Sequence, residues 1–351
     1  MENVIWSEMD MDKLGRGLAE LFPEYDVSLE ELVRQIAGGD LKGAAEAVGR
    51  DVLYSFVGEF AAIRKIMIWI FVLGVAAAMM SHFIEVFDRH QVADLSFYFM
   101  YLCMMTVVFG CYTQAAEAAA DAMENIVLFV RLLAPLYLVA VGISSGSVTA
   151  GAAGQVLMWG IYGVQRLLAG ICLPLVYSFF MLSVLNGIWM EEKLTLMTEL
   201  LKKAVGWILK GAIGAVTGIS FFQNIITPVI DSVKSNTLQK AVSAIPGIGN
   251  AADGVTQLLL GSAIVIKNSV GLTILLLLLL LCCAPLLQIL MTAVTLKAAA
   301  ALMGIVSDKR LTGCVDRVGE AGLLLFRTTG TAVLLFLIAV AVVAASTNRG
   351  F

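Results

Sequence analysis

Residues 268–296 read NSVGLTILLLLLLLCCAPLLQILMTAVTL, 29 residues without a charge, bounded by Lys267 and Lys297. A bilayer core is about 30 Å thick and a helix rises about 1.5 Å per residue, so about 20 apolar residues cross it. This run exceeds that length even for a tilted helix. Water is absent from the hydrocarbon, so every backbone N–H and C=O needs an internal partner, and a helix supplies one for each. The fold class that follows is all-α, a polytopic α-helical membrane protein.

Composition agrees over the whole chain. Of 351 residues 60% are hydrophobic and 14% charged, and the mean hydropathy is +0.90; soluble domains carry about 25% charged residues. The charge is uneven. Residues 1–62 hold 13 acidic and 5 basic groups, a net of −8, while the remainder holds 14 and 18, a net of +4. An acidic, water-facing head therefore precedes a nearly neutral membrane body at 63–351.

The head is expected to form short amphipathic helices. Leu14, Leu18, Leu21 and Phe22 recur at helical spacing before Pro23, Ser28 and Glu31 make a capping box, and Ala44, Val48, Val52, Phe56 and Phe60 form one stripe. The head reads either as a docking surface or as a helix lying on its own membrane domain. No N-terminal hydrophobic stretch accompanies Glu2 to Asp51, so this sequence shows no signal peptide; either it is a mature form or the head reaches its compartment another way.

About seven spans are expected in the body, near 66–84, 95–113, 126–143, 156–190, 204–226, 268–296 and 321–345, with a half-inserted segment at 255–266. An Ala-rich acidic connector, Gln114–Asn125, is expected to be helical. The run 156–190 is too long for one ordinary span; it predicts either a half-helix ending near Arg166 or one long projecting helix. Ser144–Gly154 holds only small uncharged residues and reads as a loop or a tight turn at membrane depth. Residues 191–203, 227–254 and 308–320 read as polar connections. Basic and acidic residues nearly balance in the connections, so the positive-inside rule leaves the orientation open.

No catalytic motif is present, neither a phosphate-binding Gly-rich loop nor a nucleophile elbow, and no pair of aspartates lies at membrane depth. No cofactor, metal or nucleic-acid partner is expected; membrane lipid is. The six cysteines read as small hydrophobes in helices. Cations inside apolar runs are the more informative feature, because one at the centre of a lone helix costs about 2.5–3.5 kcal/mol. Arg131, Arg166, Lys210 and Lys267 are candidates for a cavity or protein interface, whereas Lys297 and Arg327, near span ends, are expected to reach the headgroups.

Two further features concern backbone geometry. Pro246, Gly247 and Gly249 break the chain before Lys267 and Asn268, so 244–268 reads either as a re-entrant hairpin lining a conduit or as a surface loop between full helices. Gly211, Gly214 and Gly218 lie on one helix face and predict close helix packing.

With these residues in view the chain resembles the stage III sporulation protein AE family of endospore-forming bacteria. The resemblance rests on Ile245, Pro246 and Gly249, on Ile266 through Gly271, on the leucine-rich span, on Lys297 through Leu302, and on Asp308-Lys309-Arg310 followed by Cys314, Gly319 and Leu323 to Phe326. It implies a non-enzymatic protein of the mother-cell membrane around the forespore, part of a channel or secretion-like complex joining the two cells. It also implies partners from the same operon, an ATPase and ring-forming proteins, and through them the forespore protein SpoIIQ. A solute transporter and a scaffold without a pore are the alternatives.

Overall fold

The structure, a computed structural model, describes residues 43, 49, 50, 65, 67–80, 90–145, 159–188, 193–242 and 282–346, with side chains over 67–80, 96–128, 159–188, 193–219 and 282–338. The head apart from helical Gly43, Gly49 and Arg50, the segment 146–158, and 243–281 with Pro246, Gly247, Gly249, Lys267 and Asn268 lie outside the described residues. Every regular element among the described residues is helical. We label them α1 (Met67–Met80), α2 (His90–Ser145), α3 (Trp159–Ile188), α4 (Thr195–Val242), α5 (Cys282–Met303) and α6 (Lys309–Ser346).

Four segments are long and apolar enough to cross a membrane: Ser96–Leu128 of α2, all of α3, all of α5, and Lys309–Ile338 of α6. The apolar helix Met67–Met80 is shorter. The expected polytopic helical class is therefore found, and four candidate crossings lie among the described residues.

Several expected boundaries move. The connector Gln114–Asn125 is helical as expected, but it is continuous with both neighbours in a helix of 56 residues. Its alanines explain this. Ala115, Ala119, Ala122 and Ile126 are buried along one face, while Glu117, Asp121 and Glu124 point outward, so the segment is an amphipathic turn of the bundle and not a loop. The expected break at 227 is likewise absent, since α4 continues to Val242. The charged stretch 309–320, expected to connect two spans, forms the first turns of α6; Leu311, Cys314, Val315 and Val318 are buried at helical spacing within it.

The long run 156–190 resolves into a single helix with a local widening. Residues Leu168–Cys172 are π-helical, and the N–H of Leu173 donates to the carbonyl of Leu168. Pro174 has no N–H to offer the preceding turn, so the ordinary ladder is interrupted there in any case.

Helix α6 is the centre of the bundle. It packs against α2, α3 and α4, and more of its apolar length is buried than of α2's. Against α5 it closes through small residues: a Cβ on Gly322 would stand 2.9 Å from Ala293 Cβ and 3.3 Å from Ala293 Cα, and one on Gly319 3.0 Å from Lys297 Cγ. Between α2 and α3, Tyr112 stacks on Phe180 with centroids 3.7 Å apart, and Tyr177 meets Tyr112 edge-on at 6.2 Å. Trp159, Trp207 and Phe99 are exposed, as apolar side chains facing lipid are.

Candidate functional site: a charged layer and a buried polar seam

Two hairpins bring their turns to the same end of the bundle. In the α3–α4 turn, Asn186 is buried and bridges the two helices: its Oδ1 accepts from Leu194 N at 2.8 Å and its Nδ2 donates to Thr195 Oγ1 at 3.0 Å. This satisfies one of the open donors at the start of α4, as a capping side chain does. In the α5–α6 turn, Ser307 N donates to Met303 O at 2.7 Å, and the Asp308 carboxylate accepts from Arg310 N at 2.8 Å, capping α6.

Charged groups gather just inside these turns. Lys297 of α5 donates to Asp316 of α6 at 2.8 Å, and Lys202 of α4 pairs with Glu320 of α6. The Arg310 guanidinium lies 3.8 Å above the ring of Phe97 on α2. Deeper in, the Tyr101 hydroxyl donates to Val184 O at 2.8 Å. Gly187 leaves the room for this: a Cβ there would be 2.6 Å from Tyr101 Oη and 2.9 Å from Arg317 Nη2. The pairs are half-exposed, so each contributes little alone. Together they tie α2, α4 and α5 to α6 at one level.

A polar seam runs from this layer between α3 and α6. Gln165 is buried and its Nε2 donates to Ala332 O at 2.7 Å, while Oε1 has no hydrogen-bond partner among the described residues. Cys172 Sγ lies 3.7 Å from Thr328 Oγ1, whose own hydroxyl donates to Leu324 O at 2.9 Å. Ser183 of α3 and Thr329 of α6 are buried, and their hydroxyls also lack partners among the described residues. Such a seam holds polar atoms where lipid could satisfy none of them. Among the described residues no group of three or more His, Cys, Asp or Glu is placed to hold a metal.

The expected site residues fall elsewhere. Arg166 and Lys210 are exposed on the bundle surface, and Arg131 lies on α2 where its side chain is outside the described residues. Lys297, expected to reach the headgroups, is instead paired with Asp316. Gly211, Gly214 and Gly218, expected to pack closely, have open space where a side chain would begin, with nothing within 4 Å of a Cβ placed on any of them. The close contacts are made by Gly74, Gly160, Gly187, Gly319 and Gly322. Gln165, Asn186 and the acidic members of the charged layer were not singled out by sequence. The spacing of Leu311, Cys314, Val315 and Val318 carried the signal that residues 309–320 form a helix.

The chain is similar to stage III sporulation protein AE of Bacillus subtilis (strain 168), at 20% identity over 348 residues, covering 97% of this chain and 87% of that protein. No solved structure matches. The sequence profile described as stage III sporulation protein AE matches residues 27–347, which takes in all of α1 to α6, and the chain belongs to that family.

Proposed function

We propose that the chain is a non-enzymatic core component of a channel or secretion-like complex in the mother-cell membrane around the forespore. The observation that carries this reading is the buried polar seam between α3 and α6, in a member of a stage III sporulation family. A helix that serves only as an anchor has no need of Gln165, Ser183, Thr328 and Thr329 buried at membrane depth, whereas a protein that forms or gates a wet path does. The wider assembly consists of an ATPase and ring-forming proteins of the same operon, linked through them to SpoIIQ. The remaining expected spans complete the membrane domain.

A combined Thr329→Val and Ser183→Ala variant tests this. These changes remove two buried hydroxyls that make no hydrogen bond among the described residues, so no contact holding the bundle is lost. In sporulating cells, intact assembly of the variant with loss of late forespore gene expression is the result expected for a conduit. Normal late expression from the assembled variant would overturn the conduit role. Loss of assembly would point to a scaffold without a pore. A solute transporter is the second reading, favoured by the π-helical interruption at Leu168–Cys172 beside Arg166; solute uptake lost with assembly intact would support it.

A further inference from the structure

Opposite charges face outward on two helices that do not pack against each other. On α2, Glu117, Asp121 and Glu124 recur at helical spacing and are exposed. On α4, Lys203, Trp207, Lys210, Gly211 and Gly214 are exposed, and Arg327 is exposed on the adjoining α6. Helix α6 packs against both α2 and α4, but α2 and α4 share no extended contact. Lys203 makes a loose pair with Glu199 at 3.7 Å. Glu117, Asp121, Glu124, Lys210 and Arg327 have no ion-pair partner among the described residues. Glu117, Asp121, Glu124 and Arg327 lie within candidate membrane-crossing segments, where an unpaired charge is costly.

The two faces also match in height and spacing. The Tyr177 hydroxyl donates to Ala116 O at 3.4 Å, which sets Glu117 level with Tyr177 of α3. Thr195 is bonded to Asn186, and a Cβ on Gly160 would be 3.0 Å from Ile219 Cδ1, so α4 runs antiparallel to α3 from these two fixed points. At about 1.5 Å rise per residue, Lys203 then also stands about level with Tyr177. Glu117 to Glu124 and Lys203 to Lys210 are the same separation in sequence, about 10.5 Å along each helix. Because α2 and α4 both run opposite to α3, they are parallel to each other. Two molecules with the same orientation in one membrane therefore present these charges to each other in register.

We propose that a second copy of this chain occupies the α4–α6 face, laying Glu117, Asp121 and Glu124 of its α2 against Lys203, Lys210 and Arg327. The open space at Gly211 and Gly214 lets the incoming helix approach closely. The contact is heterologous, since each copy keeps one acidic and one basic face free, and repetition builds a ring or an open row in the membrane plane. This inference is independent of what the assembly conducts.

Charge reversal tests it. Two variants are made, one with Glu117→Lys and Glu124→Lys, the other with Lys203→Glu and Lys210→Glu, each with its own affinity tag. Self-association in lipid nanodiscs or bilayer vesicles is read by co-purification of differently tagged copies. Each variant alone should lose at least about tenfold in co-purification, and mixing the two should restore it, because both mixed contacts again pair opposite charges. Self-association of either variant at the level of the unaltered chain overturns the proposal, as does failure of the mixture while both variants keep native helicity. If reversal impairs folding, cross-linking decides: a chain freed of its native cysteines and carrying Glu124→Cys and Gly211→Cys, treated with a short bismaleimide in membranes, should give a ladder of linked copies that neither single substitution gives. Absence of that ladder also overturns it.

Discussion

Glycines show at the scale of single residues how contact, and not motif, decides a role. The spacing of Gly214 and Gly218 matches a common helix-packing pattern, yet their surroundings within the chain are open. Gly322 fits no such pattern in the sequence, and Ala293 backbone lies where its side chain would begin. Backbone cannot swing aside as a side-chain tip can. Gly322→Leu is therefore expected to destabilise the bundle by about 1–3 kcal/mol through overpacking, and Gly214→Leu to leave the isolated chain within about 0.5 kcal/mol. Thermal unfolding of the two variants in detergent, followed by helicity, measures the difference. Equal losses would show that the α5–α6 contact is looser than the distances state. The charged layer teaches the same lesson. Lys297 looked solitary because its partner, Asp316, is reached only through a turn between two helices. No local spacing contains that pairing.

Helices were legible in the sequence where apolar residues recur with the helical period, and less so where polarity was used to set their ends. An average over Gln114–Asn125 is polar, because it counts Glu117, Asp121 and Glu124 together with the alanines. Taken face by face, Ala115, Ala119, Ala122 and Ile126 form the buried stripe that carries α2 through. The same holds at the start of α6. The π-helical turn at Leu168–Cys172 had a weaker signal, Pro174 two residues beyond it. The α3–α4 junction depends on Asn186, whose side chain serves both helices. Asn186→Ala removes the acceptor for Leu194 N and the donor to Thr195 Oγ1, at an expected cost of about 1–2 kcal/mol. Hydrogen exchange of the amides from Leu194 to Thr198 should quicken locally while that of α6 is unchanged. Uniform quickening along both helices would instead assign Asn186 to the core.

The molecule as a whole follows from one constraint. Apolar helices in lipid have little hydrophobic reason to associate, so packing of small residues and polar contacts must hold them together. Here Gly319 and Gly322 supply the packing, and Gln165 and the ion pairs supply the polar contacts that converge on α6, while Tyr101 ties α2 to α3. Membrane class and the existence of a final span were readable from hydropathy alone. The central position of that span was not, since it depends on which residues of distant helices touch it. The ends of α3 and α4 with Lys193 and Leu194, and the turn 304–308, are placed beside α6's first turns, and this common placement is the feature on which the charged layer, the seam and the register of exposed charges all depend. In a chain freed of its native cysteines, Lys193→Cys and Ser307→Cys report it directly when a membrane-impermeant thiol reagent is added to one side of sealed vesicles. Labelling of both sites from the same side, with Trp159→Cys unlabelled from that side, is the expected result; labelling of Lys193→Cys and Ser307→Cys from opposite sides would contradict the arrangement.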